Sequence, residues 1–296
     1  MIVGSIDDLP EGFTLGNVPR APMPSEVLLC RPEFFEVREV KNAFMDGRVG
    51  TVNRSTAMLQ WERLRETFER CGVRTQVLPA VPDCEDMVFT ANPSFNGRAS
   101  DGRRTCVPSR MAFASRAPEV DAHRRWFQEN GYAIAEMPEA VERFEGGGDA
   151  IWHPGRALIW AGAGARTSAA AHEALSGIFN VPVISLQPTD PRFYHFDTCF
   201  CALSERAVMI FAQAFDAPAL ALIHHLFDVV IHVDESDAEG FACNAAAFFG
   251  TTVVIQKGAA RTIAQLRNLG FRVCEVETGE FMKSGGSVFC MKGELH

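Results

Sequence analysis

Two apolar rhythms take turns along this chain. In "TAMLQWERLRETFERCGVRTQVL", Ala57, Trp61, Leu64, Phe68 and Cys71 recur at helical spacing, while Glu62, Arg63, Glu66 and Arg70 fall on the opposite side. That spacing predicts an amphipathic helix laid on a sheet, then a glycine break and a short strand. The same order returns in "EVDAHRRWFQENGYAIAEM", "SAAAHEALSGIFNVPVISL", "PALALIHHLFDVVIHV" and "AARTIAQLRNLGFRVCEV", five times in all. Between these units lie short strand-like runs such as "RALIWAG", "DTCFCAL", "AVMIFAQ" and "TTVVIQ". Each unit therefore reads roughly as strand, strand, helix, strand, at uneven intervals that mark a structural repeat. Five α/β units predict a closed ring with strand ends and loops converging on its axis. A dinucleotide-binding sheet is the competitor, but it needs GxGxxG between strand and helix, and "AGAGAR" has the wrong glycine spacing.

Composition narrows the picture. Pro10, Pro19, Pro22 and Pro24 predict that residues 1–25 are an extended lead-in, with one domain over 26–296 that begins at "EVLLC". The formal net charge of -9 argues against a nucleic-acid partner. "MIVGSIDDLPEG" has no basic-then-apolar leader pattern, and no run approaches the ~20 apolar residues of a membrane span. A soluble, cytoplasmic protein is expected. Nine cysteines without CxxC spacing predict free thiols rather than a disulfide framework or a zinc site. No cofactor is called for, and a homo-oligomer is the default expectation.

Three segments carry polar groups where the pattern is apolar. In "RFYHFDTCFCAL", His195 and Asp197 stand two apart, on one face if the segment is a strand. Alone they read as a structural pair or half a metal site. In "ERFEGGGDAIW", Glu145 and Asp149 flank three glycines that permit unusual dihedrals or close approach of a ligand; a tight turn is the equal alternative, and no GK[ST] follows to make a phosphate loop. "GGSVFC" places Cys290 at a strand end entered through two glycines, where a lone cysteine is by default core filler. Together they are one thiol, one histidine and carboxylates from different units, which a closed ring brings to one place as a nucleophile with acid-base partners.

At these residues the chain resembles the guanidino-group-modifying (pentein) superfamily of arginine deiminases, dimethylarginine dimethylaminohydrolases, amidinotransferases and arginine dihydrolases. "RPEFFEVREVKNAFM", "CEDMVFTANPSF", "FEGGGD", "FYHFDT" and "SGGSVFCM" are similar to its motifs. The resemblance implies a five-bladed α/β propeller with pseudo-fivefold symmetry. It also implies roles: Cys290 the nucleophile, His195 the general acid and base, Glu145 and Asp197 the carboxylates that grip a guanidinium. Arg110 and Arg166 fall where relatives hold the substrate α-carboxylate, and Asp86 at a substrate-binding position. Asn92 replaces the aspartate of deiminases and dimethylarginine hydrolases, and with Asn42 it draws the resemblance toward the arginine dihydrolase branch.

A guanidinium carbon is a poor electrophile, and its amine leaves only when protonated. Paired carboxylates orient and neutralise the planar cation, a thiolate attacks, and a histidine supplies and removes the proton. The expected substrate is thus a guanidino or ureido amino acid, cleaved through a thiouronium adduct. Arginine converted to ornithine, carbon dioxide and ammonia is the first reading. Dimethylarginine hydrolysis, deimination, citrulline hydrolysis and amidino transfer are alternatives within the fold. A non-catalytic binder of cationic amino acids would not need the thiol, and a metal hydrolase using His153 lacks a helical ligand pair.

Overall fold

The computed structural model describes all 296 residues. The strands form five separate sheets, four of three strands and one of four. The repeat unit read from the sequence is present in each. A short first strand pairs antiparallel with a second, a helix crosses over, and a third strand returns parallel to the second. The second strands and their helices are Arg104–Pro108 with Ala117–Glu129, Ile159–Gly162 with Ala170–Phe179, Ala207–Ile210 with Ala217–Leu226, and Thr252–Gln256 with Ala260–Asn268. The remaining sheet joins the two ends of the chain: Glu26–Cys30 pairs parallel with Arg74–Leu78 across the helix Arg54–Arg70, and antiparallel with Gly293–Glu294.

Packing follows the helical stripe. Asn53 caps the helix Arg54–Arg70 by accepting from Thr56 N–H, and Ala57, Trp61, Leu64 and Phe68 are buried against Val27, Leu29 and Phe281. Truncating Leu64 to Ala there costs about 2–5 kcal/mol. No helix is long and apolar enough to cross a membrane.

The lead-in departs from a plain extended segment. Ile2–Val3 adds a parallel strand beside Val183–Leu186, and single 3-10 turns follow at Ile6–Asp8 and Leu15–Asn17. The edge of that sheet offers main-chain partners that the proline pattern did not reveal.

One regularity positions the chemistry. A polar side chain stands just ahead of the first strand of every sheet: Asn92 before Ser94–Arg98, Asp149 before Ala150–Trp152, Asp197 before Phe200–Ala202, Asn244 before Ala246–Phe248 and Cys290 before Gly293–Glu294. All five are buried.

Candidate active site

Glu145 precedes a single helical turn, Gly146–Asp149. Gly146 sits at φ 51°, and a Cβ there would lie 2.4 Å from Ser94 O, so only glycine lets the 91–94 segment come this close. The Glu145 carboxylate accepts from Ala112 N–H at 2.9 Å, from Arg166 Nη1 at 2.9 Å and from His195 Nε2 at 2.6 Å. Burial alone would raise this carboxyl. The hydrogen bond and charge of His195, then Arg166 and Arg116, outweigh it and hold Glu145 well below the usual range. The Arg166 guanidinium also donates to Lys41 O and lies between the rings of Phe113 and Tyr194.

Asp149 has a different task. One oxygen accepts from the Thr167 hydroxyl at 2.6 Å and the other from Phe196 N–H at 3.0 Å, so it fastens the chain beside His195. Thr167 in turn accepts from Glu145 N–H. Burial pushes the Asp149 carboxyl up to about 6.

His195 and Asp197 are not on a strand. Phe196–Thr198 is a 3-10 turn with His195 as its cap, and the two side chains serve different partners. Asp197 Oδ2 accepts from the Cys290 thiol at 3.1 Å. Cys290 likewise lies in a turn ahead of Gly293–Glu294, not at a strand end. Asn244, fully buried, donates to Cys290 Sγ at 3.2 Å. Burial pushes Asp197 up to about 7, offset only in part by the hydrogen bonds of Cys290 and Asn244 and the charge of Lys292. Burial, then the Asp197 carboxylate, push the Cys290 thiol well up.

Cys290, His195, Asp197 and Glu145 are each at most 1% exposed. Three buried polar atoms among the site residues have no partner in the protein: His195 Nδ1, Asp197 Oδ1 and Asn92 Nδ2. A Cβ on Gly148 would lie 2.6 Å from Asn92 Nδ2 and 3.2 Å from His195 Nδ1, so only the lack of a side chain at Gly148 lets these two orphans pack this close beside it. A thiol, an imidazole paired with a carboxylate, and a second carboxylate with a free oxygen can together grip and cleave a planar C–N group.

The comparisons with known proteins agree with this chemistry. The model of the N,N-dimethylarginine dimethylhydrolase family, eukaryotic type, matches residues 31–296. The chain belongs to the dimethylarginine dimethylhydrolase family. One relative, the N(G),N(G)-dimethylarginine dimethylaminohydrolase of Mycobacterium tuberculosis, is 34% identical over 94% of this chain and 88% of its own. The bifunctional arginine dihydrolase/ornithine cyclodeaminase ArgZ of Synechocystis is 34% identical over 90% of this chain. The chain spans only 37% of that relative's length. A crystal structure of the ArgZ N-terminal domain, an Asn-to-Ser variant covalently bound to a reaction intermediate, superposes with a TM-score of 0.86 at 31% identity, covering 92% of this chain and 97% of that one. The architecture is therefore the mixed α/β fold of this family and of ArgZ.

Within this family member, the fold unites Cys290 with Asp197, and His195 with Glu145 and Arg166. Asn92 lies beside them. Other expected residues are engaged with neighbouring groups of the chain. Arg110 directs its guanidinium at the main-chain carbonyls of Met137, Pro138 and Val141. Asn42 spends its amide on Phe44 N–H and Ser284 O. Asp86 accepts from Lys41 and from the Ser284 hydroxyl. His153 is tied to Trp160 and the Glu205 carbonyl. The sequence reading missed Asn244, Thr167 and Arg116. Arg116 is buried, paired with Glu119 at 2.8 Å, and donates to Asn92 Oδ1 at 3.1 Å. Asn244 had a legible signal, its place ahead of a strand in "FACNAAAFF", matching Asn92, Asp149 and Asp197.

Proposed function

We propose that this chain is a cysteine-dependent hydrolase of the guanidino group of arginine, acting twice to give ornithine, carbon dioxide and two ammonia. The observation that carries the cysteine chemistry is Cys290 held against a buried carboxylate, Asp197, that keeps one oxygen free. That free oxygen accepts from the substrate guanidinium, whose cation favours the thiolate next to it. Cys290 Sγ bonds to the guanidinium carbon, and His195, donating through its unpartnered Nδ1, protonates the departing ammonia. The alkylthiouronium that remains is opened by water, which gives its proton back to His195 as the product urea forms.

Asn92 supports the second round. A guanidinium has only donors, so the Asn92 atom facing Arg116 is the oxygen, and the amide N–H group is the one left toward His195. A donor there matches the oxygen of a ureido group, so citrulline is held and attacked again. Loss of a second ammonia gives a thiocarbamate, and water releases carbon dioxide and ornithine. The name of ArgZ supports the same reading. Arg166 and Asp86 are assigned to the amino-acid end of the substrate. Arg110 is assigned to pinning the 137–141 turn, and Asn42 to shaping the loop before Cys290.

Residues 26–296 are read as one catalytic domain with the five sheets as propeller blades around this site, in a cytoplasmic enzyme. The polar residue ahead of every first strand supports the propeller, and nine free cysteines suit a reducing compartment. Family membership favours one second reading, dimethylarginine hydrolysis.

Products from separate incubations with L-arginine, dimethylarginine and citrulline test the proposal. Ornithine with two ammonia per arginine is expected, and citrulline should itself be consumed. Citrulline accumulating as the end product with one ammonia sinks the dihydrolase reading. Dimethylamine released faster than ammonia selects the second reading, and a new guanidino compound on adding glycine would indicate amidino transfer.

A further inference from the structure

Asn244 makes more contacts to the nucleophile's segment than any carboxylate does. Its amide oxygen accepts from Ser287 N–H at 3.0 Å and from Cys290 N–H at 3.2 Å. Its amide nitrogen donates to Asp197 O at 3.2 Å and to Cys290 Sγ at 3.2 Å. The orientation follows from chemistry, since main-chain N–H groups only donate and the atom facing both must be oxygen. One fully buried side chain thereby ties together the Asp197 turn, the entry to Ala246–Phe248 and the Cys290 turn, and its N–H is aimed at sulfur.

We propose that Asn244 is a further active-site residue, one that fixes the Cys290 turn through its amide oxygen and stabilises the Cys290 thiolate through its amide N–H. The inference rests on the role proposed above for Cys290. Sulfur lies between two opposed groups. Asp197 Oδ2 accepts the S–H and favours the neutral thiol, whereas the Asn244 N–H bonds more strongly to the anion. The titratable groups facing Cys290 are Asp197 and Tyr194, with Lys292 acting on Asp197. When a guanidinium takes Asp197, the Asn244 donor remains on sulfur. Among the groups that act on the thiol, Asn244 and the Ser287 main chain are the ones that favour its ionisation, against burial and Asp197.

The test compares wild type with Asn244→Asp and Asn244→Ala. Asn244→Asp keeps an oxygen for both N–H groups but sets a carboxylate against sulfur, whereas Asn244→Ala removes the donor without adding charge and is the deciding variant. Iodoacetamide alkylation of the Cys290 peptide is followed by mass spectrometry across pH, beside steady-state ammonia release. The expected result for Asn244→Ala is an alkylation midpoint at least one pH unit higher, about tenfold less thiolate at a given pH, with kcat reduced at least tenfold and KM changed far less, and Asn244→Asp should raise the midpoint further. A purely structural role would leave the midpoint of folded protein where it was, and that result overturns the inference. Should neither variant fold, the wild-type protein still decides the matter. The Asn244 side-chain amide proton must move downfield in NMR as Cys290 ionises, and an unshifted resonance overturns the proposal. Activity retained by Cys290→Ser would instead overturn the underlying role of Cys290, so the two failures are distinguishable.

Discussion

The site holds two buried carboxylates in opposite electrical circumstances. Glu145 is compensated from within: Arg166 and His195 share one of its oxygens, an amide N–H takes the other, and its carboxyl is held well below the ordinary range. Asp197 is as deeply buried but has no ion-pair partner; the Cys290 thiol, Asn244 and the charge of Lys292 offset its burial only in part, one oxygen stays free, and it is pushed up to about 7. The difference teaches which side of the site awaits a ligand. Glu145 already has its partners, and in the proposed mechanism it orients His195. Asp197 lacks an ion-pair partner, and in the proposed mechanism a guanidinium supplies it, offsetting its burial cost.

The sharpest way to break this division is Cys290→Ser. Turnover should fall about 10⁴-fold or more, measured as ammonia release, because the alcohol lacks both the thiolate and the leaving ability of sulfur. Next comes Glu145→Gln, which leaves Arg166 without its counter-charge and His195 without its carboxylate. It should lower kcat by about 10²- to 10⁴-fold and also destabilise the fold, seen in a thermal melt.

Asp197→Asn sharpens the comparison from the other side. It should reduce kcat/KM for arginine by about 10- to 100-fold, the worth of a hydrogen bond to a charged group, and should harm neutral citrulline less. Equal losses for both substrates would mean that Asp197 does not compensate the cation.

The smallest effect is on stability against pH. A carboxyl raised on folding contributes stability present below about 4 and lost as pH rises through its folded value, because the native state binds the extra proton. Asp197, at about 7, and Asp149, at about 6, therefore weaken the ligand-free protein progressively between about pH 4 and 7. Glu145 acts oppositely, its contribution being lost only well below pH 4.5. The melting temperature of Asp197→Asn should gain on wild type as pH rises across that window, and a constant gap would count against the raised carboxyl.

Much of this was legible from residue order, for stated physical reasons. The stripe Ala57, Trp61, Leu64, Phe68 has one face to bury, so the helix and its sheet follow from spacing alone. Cys290, His195, Glu145 and Asp197 stood out as reactive groups in apolar surroundings. Local conformation did not: over three residues a strand and a 3-10 turn present the same "HFD", and only the turn sends His195 and Asp197 to different partners. Arg110 and Arg116 follow serines alike in "PSR" and "ASR". Tertiary contacts alone send one to a surface turn and bury the other against Glu119 and Asn92. The first residues were read from their prolines, while the strand Ile2–Val3 depends on an edge 181 residues away that no local pattern announces.

The most direct test of the division between the two carboxylates and of the thiol between them is an acid quench during turnover of L-arginine, with mass spectrometry of the Cys290 peptide. The account predicts an adduct on Cys290 with the mass of arginine less one ammonia, absent from Cys290→Ser, which is inactive. Arginine turned over by Cys290→Ser at the wild-type rate, or the adduct found on another cysteine, would contradict it.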